Sequence, residues 1–468
     1  MHVPILYRVT RSLVHLALSV YFRKLEISGR EHVPKNGPVI LASNHPHSIV
    51  DALILGLAAG RMLHYIAHSG LFSNPVKSWF LRSTGVIPVY RPTDVDHASD
   101  ENVRMFSACH NILEKGGAIG IFPEGTSAQE RRIQKLKTGT ARIALGGEVG
   151  RNWRLGTLIV PVGLNFESRR RFRSRVLVGF GKPINVKDYR DVYEEDEHDA
   201  VDRLTGVLQA AIRRRIVNIT HSEFDELVKH LEVVYKSEVL RRDAAGIPGK
   251  TRFEQDQWVS REIPRVLDYL FERSPDVIWR IDRQLRAYRR GLGRVRLKDE
   301  ILRREEKDSV SRATAGFLIL GAIGLPFAAY GIFWNGLPYK LTEWIARPLT
   351  RDTTKAHFVQ LSVGAALYVL YYGLLVYWAV GALGFAKALL FVASLPVTGL
   401  FARGYTRRMS RRRQAIRLAY LEWRHGHNVQ RLRDQRRRII DEVDEAVSFY
   451  MIDRTGSDGP AATDGTDS

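Results

Sequence analysis

Cysteine is nearly missing: Cys109 is the only one in 468 residues. That excludes a disulfide scaffold and a cysteine-rich zinc site. Acid is in deficit, with 50 Asp plus Glu against 71 Lys plus Arg, a formal charge of +21. No GxSxG nucleophile elbow and no HExxH metal motif occurs. GIPGKT (246–251) has the tail of a phosphate-binding loop, but Ala244 stands where its first glycine belongs. There is no internal repeat. No small-residue cleavage site follows the first apolar stretch, which Arg8 and Arg11 interrupt, so the N-terminus is not read as a signal peptide. On a helix, Ile5, Val9, Leu13, Leu16 and Val20 form one stripe, with Arg8, Arg11 and His15 on another face. Such a helix suits the membrane interface, or equally a seat on the protein's own core.

Apolar residues make up 45%, which excludes a disordered chain, and the length allows two or three domains. A mean hydropathy of −0.19 conceals a strong segregation. From Arg403 to Arg438 there are 13 arginines and two acids, Glu422 and Asp434; Arg280 to Lys307 holds 11 bases against five acids. Between these basic stretches lie Ala313–Tyr339, with no charged residue, and Ala356–Ala402, with only Lys387. A helix crosses a bilayer with roughly 20 apolar residues, so these runs read as membrane segments rather than buried helices of a soluble core. Three helices fit, near 313–335, 357–379 and 382–402. The positive-inside rule puts both basic stretches on the cytoplasmic side, which requires an even number of crossings. The expected arrangement is a re-entrant 313–335 bending at Pro326 and a 356–402 hairpin turning near Gly381–Gly384.

Short apolar runs at 38–43, 118–122, 157–163 and 176–181 read as buried strands, with helical patterns such as 103–116 between them. This is α/β, a mostly parallel sheet flanked by helices. Residues 224–240 and 258–271 have helical periodicity in a charged background. The expected organisation is an interfacial helix (1–24), an α/β domain (25–190), a helical region (191–312), membrane segments (313–402), a basic helical tail (403–452) and a disordered end (453–468).

Chemistry concentrates in SNHPHSIVDALIL (43–55), where a strand ends near Asn44 and a helix starts near Ser48. A His before that helix and an Asp in its first turns can meet. The Asp then holds one ring nitrogen and leaves the other as a general base. The plainer reading is a helix N-terminal acid beside an exposed loop His. His47 competes for the base role, four residues before Asp51; His45 is preferred because it lies in the loop facing a ligand, which leaves His47 as a supporting or surface residue. Arg91 ends GVIPVYR (85–91), Glu124 and Gly125 follow a strand in IFPEGTS (121–127), Lys137 and Gly139 precede a helix, and VPVG (160–163) carries Pro161. Ligands of parallel α/β sheets sit at the carboxyl ends of strands, and the basic residues suit a phosphate.

In this order the blocks NH-x-x-x-x-x-D (44–51), GVIPVYR, FPEG (122–125) and VPVG resemble the phospholipid/glycerol acyltransferase family over about residues 20–185. Five residues between His45 and Asp51, Ser127 where the family often has Arg, KLKTG, and the helical C-terminal half look like its yeast-type glycerol-3-phosphate/dihydroxyacetone-phosphate branch. The resemblance implies acyl transfer from acyl-CoA or acyl carrier protein to a hydroxyl of glycerol 3-phosphate or 1-acylglycerol 3-phosphate, with His45 and Asp51 catalytic. Arg91 and Lys137 would hold the acceptor phosphate, Glu124 and Gly125 would shape its site, and Pro161 would serve the acyl or structural motif. It implies no cofactor beyond the donor and no metal. The expected partners are the acyl thioester, the glycerol-phosphate acceptor and anionic lipids, with the catalytic domain on the cytoplasmic face of a membrane (the cell membrane if bacterial). A nucleic-acid binder is disfavoured because the bases flank apolar spans. A non-catalytic lipid-binding protein is the other alternative.

Overall fold

The structure, a computed structural model, describes residues 4–90, 98–127, 131–167, 173–242, 246–249, 251–303, 310–349 and 356–457. Contacts divide the chain into two compact units, Met1–Asn218 with Leu349–Ser362, and Ile219–Pro348 with Val363–Ser468.

The first unit contains α1 (Ile5–Tyr21), β1 (Lys24–Ser28), β2 (Val39–Ser43), α2 (Ile49–Ala59), β3 (Leu63–His68), α3 (Pro75–Ser83), β4 (Ile87–Val89), α4 (Ala98–Glu114) and β5 (Ala118–Ile121). It continues with α5 (Gly139–Val149), β6 (Leu158–Phe166), β7 (Arg175–Phe180), β8 (Ile184–Asn185), α6 (Arg190–Glu195) and α7 (Glu197–Arg213). The strands form one sheet in the order β1-β7-β6-β2-β5-β3-β4, with β8 on β6. Pairing is parallel except where β6 meets β7 and β8. The central strands are buried on both faces, which is why they read as continuous apolar runs. Along β2, Ile40 and Ala42 join a core with Cys109, Leu113, Ile143 and Leu204, while Val39 and Leu41 join another with Leu18, Val50 and Ile54. One sheet face is therefore covered by α4, α5 and α7, the other by α1 and α2. Because β2, β3 and β5 are parallel, their carboxyl ends open on one edge. On α1 the expected stripe points outward: Ile5, Val9, Leu13, Leu16 and Val20 are exposed, and Leu18 and Tyr21 seat the helix.

The second unit contains α8 (Asp225–Arg242), α9 (Arg252–Arg273), α10 (Pro275–Val295), α11 (Asp299–Leu302), α12 (Val310–Leu349), α13 (Ala356–Leu383, which begins in the first) and α14 (Phe385–Ser457). α14 is two helices joined by a kink at His425 (φ −139°, ψ 43°), the first of which carries the last apolar run on into the first half of the basic segment. Its polar half shares a core with α8–α10, where Leu231, Leu267 and Leu285 join Leu432, Ile439 and Val443. Arg436, buried there, donates to Asp299 at 3.0 Å and Glu238 at 3.2 Å, and Tyr288 donates to Asp299 at 2.7 Å.

Among the described residues two helices are long and apolar enough to cross a membrane, within Val359–Leu383 and the start of α14. Gly384, at φ +79°, separates them. The expected return at Pro326 does not occur, because α12 runs unbroken from Val310 to Leu349. It packs closely on α14: Ala328 is buried with Ala402 and Tyr405, and a Cβ on Gly331 would collide with the Thr398 carbonyl. Asn335 adds polar links, donating to Leu395 O at 3.0 Å and accepting from the Tyr372 hydroxyl at 2.7 Å. Small residues and hydrogen-bonding amides of this kind join apolar helices where burial alone gives no drive.

Candidate active site

β2 ends at Ser43, but its pairing continues through a side chain. The Asn44 amide accepts from Leu164 N–H at 2.7 Å and donates to Leu164 O at 3.2 Å, imitating one more peptide in the ladder with β6. Only a primary amide offers donor and acceptor in that arrangement. The chain turns after this fixed point, and the backbone N–H of His45 donates to Glu124 Oε1 at 2.9 Å. Glu124 Oε2 accepts from Gln134 N–H at 3.0 Å. One buried carboxylate thus ties the loop after β2 to the segment after β5. Burial pushes its carboxyl above the usual range, against the opposing effect of those two donors.

His45 Nδ1 lies 3.0 Å from Asp51 Oδ2, and the same oxygen accepts the His47 backbone N–H at 2.6 Å. Asp51 is fully buried in the first turn of α2. A carboxylate at Nδ1 fixes the proton there and leaves Nε2 as the basic nitrogen. Nε2 has no hydrogen-bond partner among the described residues, on a side chain that is 18% exposed. The ring stacks on Phe122 at 4.0 Å between centroids, and Phe122 lies parallel to Tyr65 at 6.4 Å. The Tyr65 hydroxyl donates to Ala52 O of α2 at 2.7 Å, and a Cβ on Gly120 would strike the Tyr65 ring.

The five-residue spacer between His and Asp closes through Ser48, the residue before α2, at φ 55° and ψ −128°. That region is natural for glycine and costs an L-residue about 1–3 kcal/mol. It is the backbone N–H of His47 that reaches the Asp51 carboxylate. Its ring is buried, edge-on to Phe166 at 4.3 Å, rather than at the surface.

Gly125, at φ +69°, makes the turn after β5, and a Cβ there would meet the Lys137 side chain at 2.8 Å. The exposed Lys137 therefore lies across the turn that carries Glu124. Two residues on, α5 begins without a side-chain cap, and the buried Thr140 hydroxyl in its first turn has no partner among the described residues. A cation beside uncapped helix amides is suited to an anion. Pro161 sits inside β6 opposite Ala42, and its carbonyl accepts Gly181 N–H at 2.8 Å. Arg91 lies outside the described residues. The structure thus brings together His45, Asp51 and Glu124, and Gly125 with Lys137. Sequence reasoning missed the anchoring by Asn44, the Phe122–Tyr65 stack and the strain at Ser48. Of these, only Asn44, beside the His, carried a local signal.

A deeply held imidazole–carboxylate pair at the carboxyl edge of a parallel sheet, with a cation and a free helix end nearby, is equipped to take a proton from a phosphate-bearing substrate. Residues 24–165 match the Acyltransferase family model, which contains every one of these residues. The chain is 31% identical over 150 residues to the chloroplastic 1-acyl-sn-glycerol-3-phosphate acyltransferase LPAT1 of Arabidopsis thaliana, covering 32% of this chain and 38% of that one. It is 28% identical over 224 residues to glycerol-3-phosphate O-acyltransferase 1 of Saccharomyces cerevisiae, covering 46% of this chain and 28% of that one. The chain thus spans about two fifths or less of the length of these relatives, and relatives named for either acceptor match at similar identity. The crystal structure of a 1-acyl-sn-glycerophosphate acyltransferase from Thermotoga maritima aligns with 44% of this chain and 78% of that one, at 19% identity and a TM-score of 0.33.

Proposed function

We propose that this protein is a membrane-bound O-acyltransferase that moves a fatty acyl group from acyl-CoA or acyl carrier protein to a hydroxyl of glycerol 3-phosphate or 1-acylglycerol 3-phosphate. The observation that carries the reading is the His45 Nδ1–Asp51 Oδ2 pair at 3.0 Å inside the family-matched segment. The acceptor hydroxyl gives its proton to His45 Nε2 as its oxygen bonds to the thioester carbonyl carbon. The tetrahedral intermediate expels the thiolate, and His45 returns the proton to that sulfur. Asp51 holds the tautomer and offsets the charge of the transient imidazolium. A thioester is already activated, so no acyl-enzyme is needed. Lys137 with the N-terminus of α5, and Arg91, hold the acceptor phosphate. Glu124 fixes the loop that carries His45, and Gly125 leaves room for Lys137.

The catalytic unit is placed on the cytoplasmic face, where acyl-CoA and acyl carrier protein are found. The shared core of α8–α10 with the polar half of α14 supports an even number of crossings, since it keeps the chain before α12 and after the apolar part of α14 on one side. The deciding assay offers the purified chain palmitoyl-CoA, and then palmitoyl-acyl carrier protein, with glycerol 3-phosphate, dihydroxyacetone phosphate and 1-acylglycerol 3-phosphate in turn. Transfer to one of them, lost in His45→Ala, supports the reading. No transfer to any acceptor from either donor carrier sinks it, as does full activity in His45→Ala.

A further inference from the structure

α3 is built the wrong way round for a helix on a water-facing surface. Its start is firmly made: Pro75 occupies the first turn, and Asn74 Oδ1 accepts Val76 N–H at 3.0 Å and Lys77 N–H at 3.1 Å. At about 100° per residue, Ser78 and Leu81 lie on one side and Val76, Trp79 and Phe80 on the opposite side. The first two are half-buried; the other three are 73%, 62% and 37% exposed. The apolar ridge therefore points away from the protein. Lys77 and Arg82, both exposed, fall on the two flanks of that ridge. α3 follows the carboxyl end of β3 through the short turn Ser69–Phe72, so it leaves the same sheet edge that carries His45 and Gly125.

We propose that α3 is a lipid contact: Val76, Trp79 and Phe80 enter the headgroup–acyl boundary of an anionic bilayer, while Lys77 and Arg82 take lipid phosphates on either side. Three features select a bilayer as occupant. A tryptophan within an apolar ridge flanked by long cations matches the layering of a membrane interface, apolar below and anionic at the rim. The same chain carries two helices long enough to span a membrane. A two-fold contact through α3 would instead set Lys77 of one copy against Arg82 of the other, cation on cation. The ridge would hold the carboxyl edge of the sheet at the membrane, so that a lipid acceptor or an acyl chain reaches His45 without crossing water. This rests on the chain being membrane-bound, and not on its catalysing acyl transfer.

The test uses the full chain in nanodiscs of phosphatidylcholine and phosphatidylglycerol in equal parts, with single cysteines at positions 76, 79 and 115 carrying an environment-sensitive fluorophore. Cys109 stays in place, because it is fully buried and burial pushes its thiol up to about 12. Position 115 precedes β5 and lies at the opposite sheet edge. Labels at 76 and 79 should shift to the blue and be quenched by lipids with brominated acyl chains, while the label at 115 is not. This holds equally in a His45→Ala background, which separates the inference from the catalytic reading. In the active chain, Val76→Ser with Trp79→Ser should raise KM for bilayer-held 1-acylglycerol 3-phosphate about tenfold or more, given the apolar area withdrawn. With hexanoyl-CoA and glycerol 3-phosphate, the same variant should keep its kcat/KM. Labels at 76 and 79 that behave like the one at 115 overturn the proposal. So does cross-linking of two copies through position 79 without lipid quenching, or an equal loss with both substrate pairs.

Discussion

Replacing Asp51 by asparagine separates the charge of this carboxylate from its shape. Its Oδ2 accepts from His45 Nδ1–H at 3.0 Å and from His47 N–H at 2.6 Å. An amide oxygen in the same place accepts both, so the loop keeps its path. What disappears is the negative charge opposite the imidazolium that forms in the proposed proton transfer. Two unit charges about 4 Å apart interact by about 4 kcal/mol at an effective dielectric near 20. That regime suits a fully buried Asp51 facing a side chain that is 18% exposed. With tenfold in rate for each ~1.4 kcal/mol, Asp51→Asn should lower kcat by about 10³. KM for the acceptor should hold within about threefold, since the lost interaction is made in the transition state. Asp51→Ala goes further: it deletes both hydrogen bonds and orphans the buried His47 amide, a further cost of roughly 2–4 kcal/mol in stability. Transfer of radiolabelled palmitate from palmitoyl-CoA gives kcat, and chemical denaturation gives stability. An Asp51→Asn protein that keeps more than about a tenth of parental kcat would refute the reasoning, because a loss of that size is below what general-base support supplies.

His47→Ala should keep kcat within about tenfold, with a loss of packing against Phe166 read as about 1–3 kcal/mol of stability; a dead but folded variant would move the base to His47. Ser48→Gly should raise unfolding free energy by about 1 kcal/mol, the relief of a left-handed backbone less the added chain entropy of glycine; a drop in stability would show that the Ser48 side chain is needed. Glu124→Gln can accept only one of the His45 and Gln134 amides, so it should cost about 1–3 kcal/mol and lower kcat without moving the donor KM. Burial holds the Glu124 carboxyl above its usual range. Stability from this group is therefore complete below the unfolded carboxyl value and lost as pH rises through the raised one, and Glu124→Gln should flatten that fall. Arg436→Met leaves buried Asp299 without the cation that faces it, while Glu238 keeps Arg241, and about 3–5 kcal/mol is expected in the unfolding of the helical unit, with trypsin cleavage of α14 as a second readout.

What the sequence disclosed tracks what is local. β2, β5, β6 and β7 were legible because burial on both faces leaves them as continuous apolar runs. β1 and β3 were not: Glu26, His64, Tyr65 and His68 break the pattern, since these strands lie nearer the sheet margin and are only partly covered. His45, Asp51, Glu124, Gly125 and Lys137 could be named from ordered motifs. Their anchoring could not, because the Asn44–Leu164 pair spans 120 residues and the Glu124–His45 bond 79. Composition also misled at α12, where Pro326 suggests a return and tertiary packing through Gly331 and Ala328 overrides it. The ridge of α3 has the i, i+3, i+4 spacing of an inward face, and only the structure reveals that it points out.

The buried polar groups of the site act mainly on the protein's own backbone. Asn44 completes a ladder, Glu124 spends both oxygens on amides, and one Asp51 oxygen serves an amide and the imidazole together. Each would be costly to bury unpaired, so their mutual satisfaction selects one loop conformation. That is the requirement for a general base, whose alignment must hold within a fraction of an ångström to be effective. Contact with the acceptor phosphate in the proposed reaction falls to the exposed Lys137 and the backbone at the start of α5, which can be altered without loosening the base. In the proposed reaction, acceptor choice and catalytic power are therefore separable. Substitutions at Lys137 should act on acceptor KM, and those at Asn44, Glu124 and Asp51 on kcat. A Lys137→Ala protein whose kcat falls as far as that of Asp51→Asn while its acceptor KM stays unchanged would break this division of labour and place Lys137 at the reacting centre.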